Sequence, residues 1–281
     1  MLTVIKGAGD IATGCAMRLW RCGIEVVMTE LELPSSIRRT VCFSEAMRLG
    51  ETTVEGVHAV RAASAEEALT LLHRGILPVL CDPEGKLFPA LHPDAVVDAI
   101  LAKRNTGTRL TDAPAVVGVG PGFTVGVDCH AVVETMRGHT LGRVLWSGSA
   151  IPNTGVPGLI AGYSSERVLH SECGGVFHAL HAIGDTVRAG ETVFTVDGTA
   201  HTCEIGGVLR GILPEGFVVP KKGFKCGDVD PRCEQFHCHT VSDKALSVGG
   251  GALEAVLMLT GAVGAARRPN DAAVRYLAEN M

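Results

Sequence analysis

The densest group of side chains able to do chemistry lies between Val116 and Arg143, in the stretch VVGVGPGFTVGVDCHAVVETMRGHTLGR. Asp128, His130, Glu134, Arg137, His139 and Arg143 fall within sixteen positions there. Just upstream, Gly120-Pro121-Gly122 ends an apolar β-branched run in a turn that few other residues make. Backbone N–H groups exposed beside a few converging side chains fix a polar ligand, so the stretch is a candidate binding loop. The same residues also suit a turn followed by a solvated strand, because Gly-Pro turns are common. His130 and His139, each taken alone, more often mark hydrogen-bonded structural positions than catalytic bases.

A second group opens the chain. An apolar run, Leu2 to Ile5, leads into Lys6-Gly7-Ala8-Gly9-Asp10-Ile11-Ala12, and Ile11, Cys15, Leu19 and Cys22 then recur at helical spacing before Gly23. Glu25 to Glu30 reads as a second strand. Strand, glycine loop, helix, strand is a Rossmann-like start. Its G-x-G-x-x-A form lets the backbone approach a phosphate and aims helix N–H groups at it. Gly7, Gly9, Asp10 and Ile11 are therefore candidate contacts to a nucleotide phosphate, and Glu30, about 20 residues on, to a ribose hydroxyl. Asp10 weighs against this, since its charge repels a pyrophosphate unless the carboxylate turns aside as the helix cap. A turn of the same shape without a dinucleotide is the competing reading. Arg38 and Arg39, adjacent beyond the second strand, suit bidentate phosphate binding or equally a solvated basic loop.

The elements that must position these groups follow from pattern. A hairpin is expected around Glu55-Gly56, and a capping box from Ser64 to Glu67 opens a helix running through Leu72. Ile76 to Leu80 reads as a buried strand with Asp82 at its carboxyl end, either a site residue or a turn cap. Pro93 is expected to begin a helix over Asp94–Lys103, and Val127 to Val133 to be extended. From about Glu166 short β runs alternate with glycine turns, and IGDTVRAGETV is echoed by GFVVPKKGFK. Such paired hairpins resemble the biotinyl/lipoyl-type barrel sandwich. A carrier of that type needs a lysine at the turn between its halves, and Val196 to His201 holds none, so no lipoyl or biotin is expected.

The fold class read from these patterns is α/β: a Rossmann-like parallel sheet domain with an inserted barrel-sandwich domain. The expected boundaries are 1–163 for the Rossmann-like domain, 164–230 for the barrel sandwich, and 231–281 for a helical segment returning to the first domain. In that last segment Ser242 or Asp243 caps a helix to about Thr260, and Gly249-Gly250-Gly251 fits close backbone packing. A final helix, Ala272 to Glu279, is a candidate surface or subunit contact, which leaves a homo-oligomer open.

Composition narrows the function. With 46% hydrophobic and 20% charged residues and 35 glycines, the chain reads as a glycine-punctuated α/β protein. A formal net charge of -5, with no basic run, argues against nucleic acid as a partner. The N-terminus lacks a signal-peptide pattern, and the most apolar late stretch, Gly249 to Gly264, is shorter than the roughly 20 residues a span requires. A cytoplasmic protein with no membrane partner is the expectation. The 10 cysteines are scattered without C-x-x-C spacing and read as reduced thiols. Cys226, Cys233, His237, Cys238 and His239 cluster, but at spacings that match no common zinc finger, so no metal is assigned.

Several stretches together, IKGAGDIATG, IRRTVCFSEAMRLGETTVEG, the VGVGPGF to HTLGR segment, NTGVPG, GVLRG, GDVDPR and SDKALSVGGGALEA, resemble the selenium-dependent molybdenum hydroxylase accessory protein family, the YqeB type. The N-terminal part is also similar to the Rossmann-like region of xanthine dehydrogenase accessory factors. The resemblance implies a role in maturing a molybdenum hydroxylase apoenzyme, with molybdenum cofactor or a dinucleotide as the small anionic ligand. It implies that the Gly7 to Ile11 turn with Arg38 and Arg39 holds the phosphate. Gly120, Gly122, Phe123, Glu134, Arg137, His139 and Lys244 would then face the metal-bearing or selenium-receiving end. Cys42, Cys81 and Cys129 lie in or beside these motifs, but the family pattern requires cysteine at none of them, and no catalytic residue is assigned. The alternatives are an NAD(P)-binding oxidoreductase or cofactor-modifying transferase, and a β-barrel interaction module on a degenerate Rossmann platform.

Overall fold

The computed structural model describes residues 1–263, which divide into two units, and the helix expected over Ala272 to Glu279 lies outside the described residues. The first comprises Met1–Pro34, Phe43–Asn153 and the chain from Val241 onward. Its elements are β1 (Leu2–Lys6), α1 (Asp10–Arg21), β2 (Glu25–Glu30), α2 (Glu45–Leu49), β3 (Glu51–Val54), β4 (Val57–Ala62), α3 (Ala65–His73), β5 (Leu77–Cys81), α4 (Phe88–Leu91), β6 (Ala95–Asp98), β7 (Ala115–Val119), β8 (Ala131–Val133) and β9 (Val144–Leu145). The helix α5 (Asp243–Thr260) completes it. The nine strands form one sheet in the order β3-β4-β5-β2-β1-β6-β7-β8-β9. From β4 to β8 every neighbouring pair is parallel, while β3 and β9 close the edges antiparallel.

Central strands covered on both faces carry near-continuous apolar runs. All five residues of β1 and of β7 are buried. Val4, Val27, Leu80, Val96 and Val116 share one cluster with Ala68, Leu71 and Leu72 of α3. The hairpin β3–β4 turns on Glu55 and Gly56, both at positive φ (44° and 82°), the geometry a two-residue turn of matching twist demands. Ser64 Oγ accepts the Glu67 N–H at 3.2 Å and caps α3, and Ser242 Oγ accepts the Ala245 N–H at 3.2 Å and caps α5.

Two elements differ from the sequence expectation. Of Val127–Val133 only Ala131–Val133 is a strand, with a turn before it at Val127 and Asp128. Ala95–Asp98 is a strand, fully buried between β1 and β7, where a helix over Asp94–Lys103 was expected. A short apolar run carries no period that separates a buried strand from a buried helix. Two parallel neighbours decide the matter by pairing with its backbone on both sides, and β-branched Val96 and Val97 suit that state.

The second unit comprises Ser35–Cys42 and Thr154–Thr240. Its strands are β10 (Val168–His170), β11 (Gly175–Ala179), β12 (Thr186–Val187), β13 (Thr192–Val196), β14 (Thr199–Thr202), β15 (Gly207–Ile212), β16 (Val218–Val219) and β17 (Lys225–Asp230). They form two four-stranded antiparallel sheets, β10-β17-β15-β12 and β14-β13-β11-β16. Phe177 and Phe194, with ring centroids 4.9 Å apart, pack in one core with Val193, Leu209, Ile212 and Val229. The unit is wider than residues 164–230. Segment 35–42 joins it because the Ile212 N–H donates to the Ile37 carbonyl at 2.9 Å and Arg39 Nε donates to the Ile212 carbonyl at 2.9 Å.

The register of β15 against β17 shifts between Leu209 and Gly211, leaving Arg210 as the extra residue of a bulge. Its guanidinium lies on Asp228 at 2.8 Å and Asp230 at 3.3 Å, and Arg167 takes the other oxygen of Asp228 at 3.0 Å. Arg232 closes on Asp230 at 2.6 Å and 2.9 Å. The GVLRG and GDVDPR stretches therefore meet in one network of arginines and aspartates, in which Arg167, Arg210, Asp228 and Asp230 are buried and Arg232 is exposed. The structure is thus that of an α/β protein with a mixed sheet and additional antiparallel sheets. No described helix is long and apolar enough to cross a membrane.

Candidate functional site

The strand order reverses at β1. The chain runs from β1 to β2 on one side, and later to β6 on the other. In open α/β sheets, ligands bind outside the carboxyl ends of the strands at such a reversal. Gly7 follows β1 at φ +92°, and a Cβ there would stand 3.1 Å from the Ala99 carbonyl oxygen and 3.2 Å from Ile100 Cα. Glycine is thus needed both for the conformation and for the close approach of the chain leaving β6. Gly9 caps α1 in an extended conformation without a side-chain hydrogen bond, and Asp10 occupies the first turn. Ile11 is half-buried.

Glu30 ends β2 and reaches back to this loop. Its Oε2 accepts the Ala8 N–H at 2.9 Å, and its Oε1 accepts the Leu31 N–H at 2.8 Å. Burial pushes its pKa above the ordinary carboxylate value, outweighing the lowering by those two N–H donors. A carboxylate already on the glycine-loop amide is set to receive a hydroxyl or N–H donor from a ligand. It disfavours a phosphate at the same spot.

Beneath the loop lies a buried cluster that the sequence did not single out. Lys6 Nζ donates to Thr108 Oγ1 at 2.7 Å, Thr108 Oγ1 donates to Asp98 Oδ2 at 2.6 Å, and the Lys6 to Asp98 ion pair spans 3.6 Å. Lys6 and Asp98 are each 2% exposed, so neither charge is tolerable without the other. The signal was present: each is the one charged residue ending an apolar run, at the ends of adjacent parallel strands. Strand pairing alone brings them together.

The glycines after β7 belong to the same edge. Gly120 and Gly122 have φ of +80° and +109°, and the Gly120 N–H donates to the Val133 carbonyl at 2.8 Å. A Cβ on Gly122 would lie 2.5 Å from Arg104 Cα, so this turn packs on the loop after β6. Phe123 is 4% exposed and lies over Gly118 as part of the core. Glu134, after β8, is fully buried and accepts the N–H groups of Thr135, Met136 and Ile151 at 2.6, 2.6 and 2.8 Å, which organises two backbone segments.

Other sequence candidates take different positions. Arg137 binds Asp243 of α5 in bidentate fashion at 3.0 and 3.2 Å, next to half-exposed Lys244, and His139 is exposed. His130 Nδ1 accepts the Val116 N–H at 3.0 Å. Asp82 accepts the N–H groups of Lys86 and Leu87 at 2.9 and 2.8 Å and caps its turn. Arg38 and Arg39 belong to the second unit. Arg38 donates to the carbonyls of His237 and Thr240 at 3.0 and 3.2 Å, and Arg39 to that of Ile212.

The thiols at or near the edge are not activated. Burial raises the pKa of Cys129 to about 11, and burial together with Glu32 raises that of exposed Cys81. Cys226 and Cys238 are buried, whereas Cys233 is exposed. Among the described residues no three His, Cys, Asp or Glu side chains are grouped to hold a metal ion.

Fold and edge together define an α/β protein whose parallel strands end in two glycine turns, joined in one chain to an antiparallel β unit. No family model matches it. Over 258 residues, 92% of this chain, it is 49% identical to the uncharacterized protein YqeB of Escherichia coli (strain K12), so the likeness is of YqeB type. The chain spans 48% of that relative, about half its length. Among solved structures, the product-bound ectoine utilization protein EutE (DoeB) of Ruegeria pomeroyi aligns at 11% identity over 81% of this chain and 84% of that one. The TM-score of that alignment is 0.25.

Proposed function

We propose that the chain serves the maturation of selenium-dependent molybdenum hydroxylases, holding molybdenum cofactor or a nucleotide at the carboxyl edge of a Rossmann-like sheet. The second unit is read as a barrel sandwich without a carrier lysine. The observation that supports this reading is the loop of Gly7, Ala8 and Gly9 at the reversal of strand order, with Glu30 facing it. Glu30 offers a carboxylate to a ribose or pterin hydrogen-bond donor, and the amide end of α1 favours negative charge. No nucleophile is needed, and the raised thiol pKa values agree with a holding role.

Mass spectrometry of the small molecules released when natively purified protein is denatured tests the reading. A pterin or nucleotide is expected. Gly9 has φ -72° and ψ -171°, which a β-branched residue adopts, so Gly9→Val obstructs the loop without backbone strain. It should abolish retention of the molecule and lower hydroxylase activity in cells. Release of nothing from the wild type, together with normal hydroxylase maturation by Gly9→Val, overturns the proposal.

Glu30 at the end of β2 also favours a second reading, an NAD(P)-dependent oxidoreductase or a transferase acting on the cofactor, since such a carboxylate suits a ribose diol. Turnover of a soluble substrate with added nicotinamide cofactor would select it.

A further inference from the structure

We infer that Lys103 and Arg104, on the loop leaving β6, supply the cations of a phosphate or pyrophosphate site at this edge, an inference that rests on the edge being a ligand site. The loop is built into the reversal of strand order. At its start Gly7 packs on Ala99 and Ile100, and the Ile100 N–H donates to Asp98 Oδ1 at 3.2 Å. At its end Thr108 is held by Lys6 and Asp98. Asn105 braces it from inside, accepting the N–H groups of Gly107 and Thr108 at 2.8 Å each and donating to Asp128 at 2.8 Å.

Between these anchors the backbone is held away from its ordinary regions, with Leu101 at φ +61° and Lys103 at φ +63°. Such a conformation persists only where the surroundings impose it. Gly122 packs directly on the Arg104 backbone, so the two cations stand on a loop that touches both glycine turns of the edge. Lys103 and Arg104 are exposed, and neither forms an ion pair among the described residues.

The neighbouring charges leave these two cations available. Glu30 places a carboxylate at the first glycine loop, and Lys6 is matched by Asp98. The side chains of Arg38 and Arg39 are engaged by carbonyls of the second unit. Lys103 and Arg104 offer an anion at this edge one point charge and one planar fork suited to phosphate oxygens.

Isothermal titration of the full chain with inorganic pyrophosphate tests this. The wild type should bind, Lys103→Ala/Arg104→Ala should bind at least tenfold more weakly with unchanged circular dichroism, and Lys221→Ala/Lys222→Ala should match the wild type. No heat with the wild type, or equal affinity for Lys103→Ala/Arg104→Ala, overturns the inference. Equal affinity alongside loss of the retained molecule in Gly9→Val sinks the cations alone. A cation-dependent pyrophosphate site in a protein that releases no pterin or nucleotide sinks the cofactor-handling reading alone.

Discussion

Gly14 of α1 and Gly249 of α5 meet backbone to backbone: a Cβ on Gly249 would overlap the Gly14 carbonyl. Gly251 meets the Gly142 carbonyl in the same way, whereas a Cβ on Gly250 would enter open space. Three consecutive glycines thus divide into two required by contact and one that is not. Gly249→Ala and Gly251→Ala should each lose about 1–3 kcal/mol or more through overpacking, while Gly250→Ala should gain up to about 1 kcal/mol from helix propensity. Urea unfolding of the three variants checks the ordering.

Lys6→Met would leave Asp98 buried with the Thr108 hydroxyl and the Ile100 N–H as its side-chain hydrogen-bond donors among the described residues. Breaking one side of a buried pair costs about 3–5 kcal/mol, and Lys6→Met/Asp98→Asn should recover much of that loss. A double-mutant cycle reads the coupling directly.

Two carboxyls give opposite pH dependences. For Asp230 burial acts upward, but the hydrogen bonds from Arg232 and the charges of Arg210 and Arg232 win and hold its pKa well below the usual range. A depressed folded value gives stability present above the unfolded pKa and lost as pH falls toward the folded one. Asp230→Asn should therefore flatten the acid limb of the stability profile. Glu30 is raised instead, chiefly by burial, so its ionisation opposes folding and stability rises as pH falls through its folded value. Carbon-detected titration should find the Glu30 midpoint above that of an ordinary glutamate. A midpoint at or below it contradicts the buried placement.

Thiol labelling should follow exposure and pKa together. Burial raises the Cys15 pKa to about 12 and that of Cys226 to about 11, whereas Cys22 and Cys233 are exposed. Iodoacetamide at neutral pH should modify Cys22 and Cys233 first and Cys81 more slowly. Cys15, Cys129 and Cys226 should react only on unfolding, as peptide mapping would show.

Much of the local architecture was legible from residue order, because it depends on neighbours a few positions apart. The β1 to β2 unit followed from an apolar run, a glycine stop and helical spacing, and the Glu55-Gly56 hairpin from turn chemistry. The cap at Ser64 followed from its Glu67 partner. These choices rest on dihedral preference and period, which short stretches carry by themselves.

The partners of the charged groups were not legible, because long-range pairing sets them. Arg38, a phosphate candidate by type, donates to carbonyls 199 and 202 positions away. Glu134, a substrate candidate, is enclosed by backbone amides that include one 17 positions on. Lys6 and Asp98 looked unremarkable until β6 took its place beside β1. Sequence alone determined that glycine turns and charged residues end apolar strands. Which turn faces which charge was decided by strand order, because hydrogen bonding between strands distant in the chain is what brings their ends to one edge.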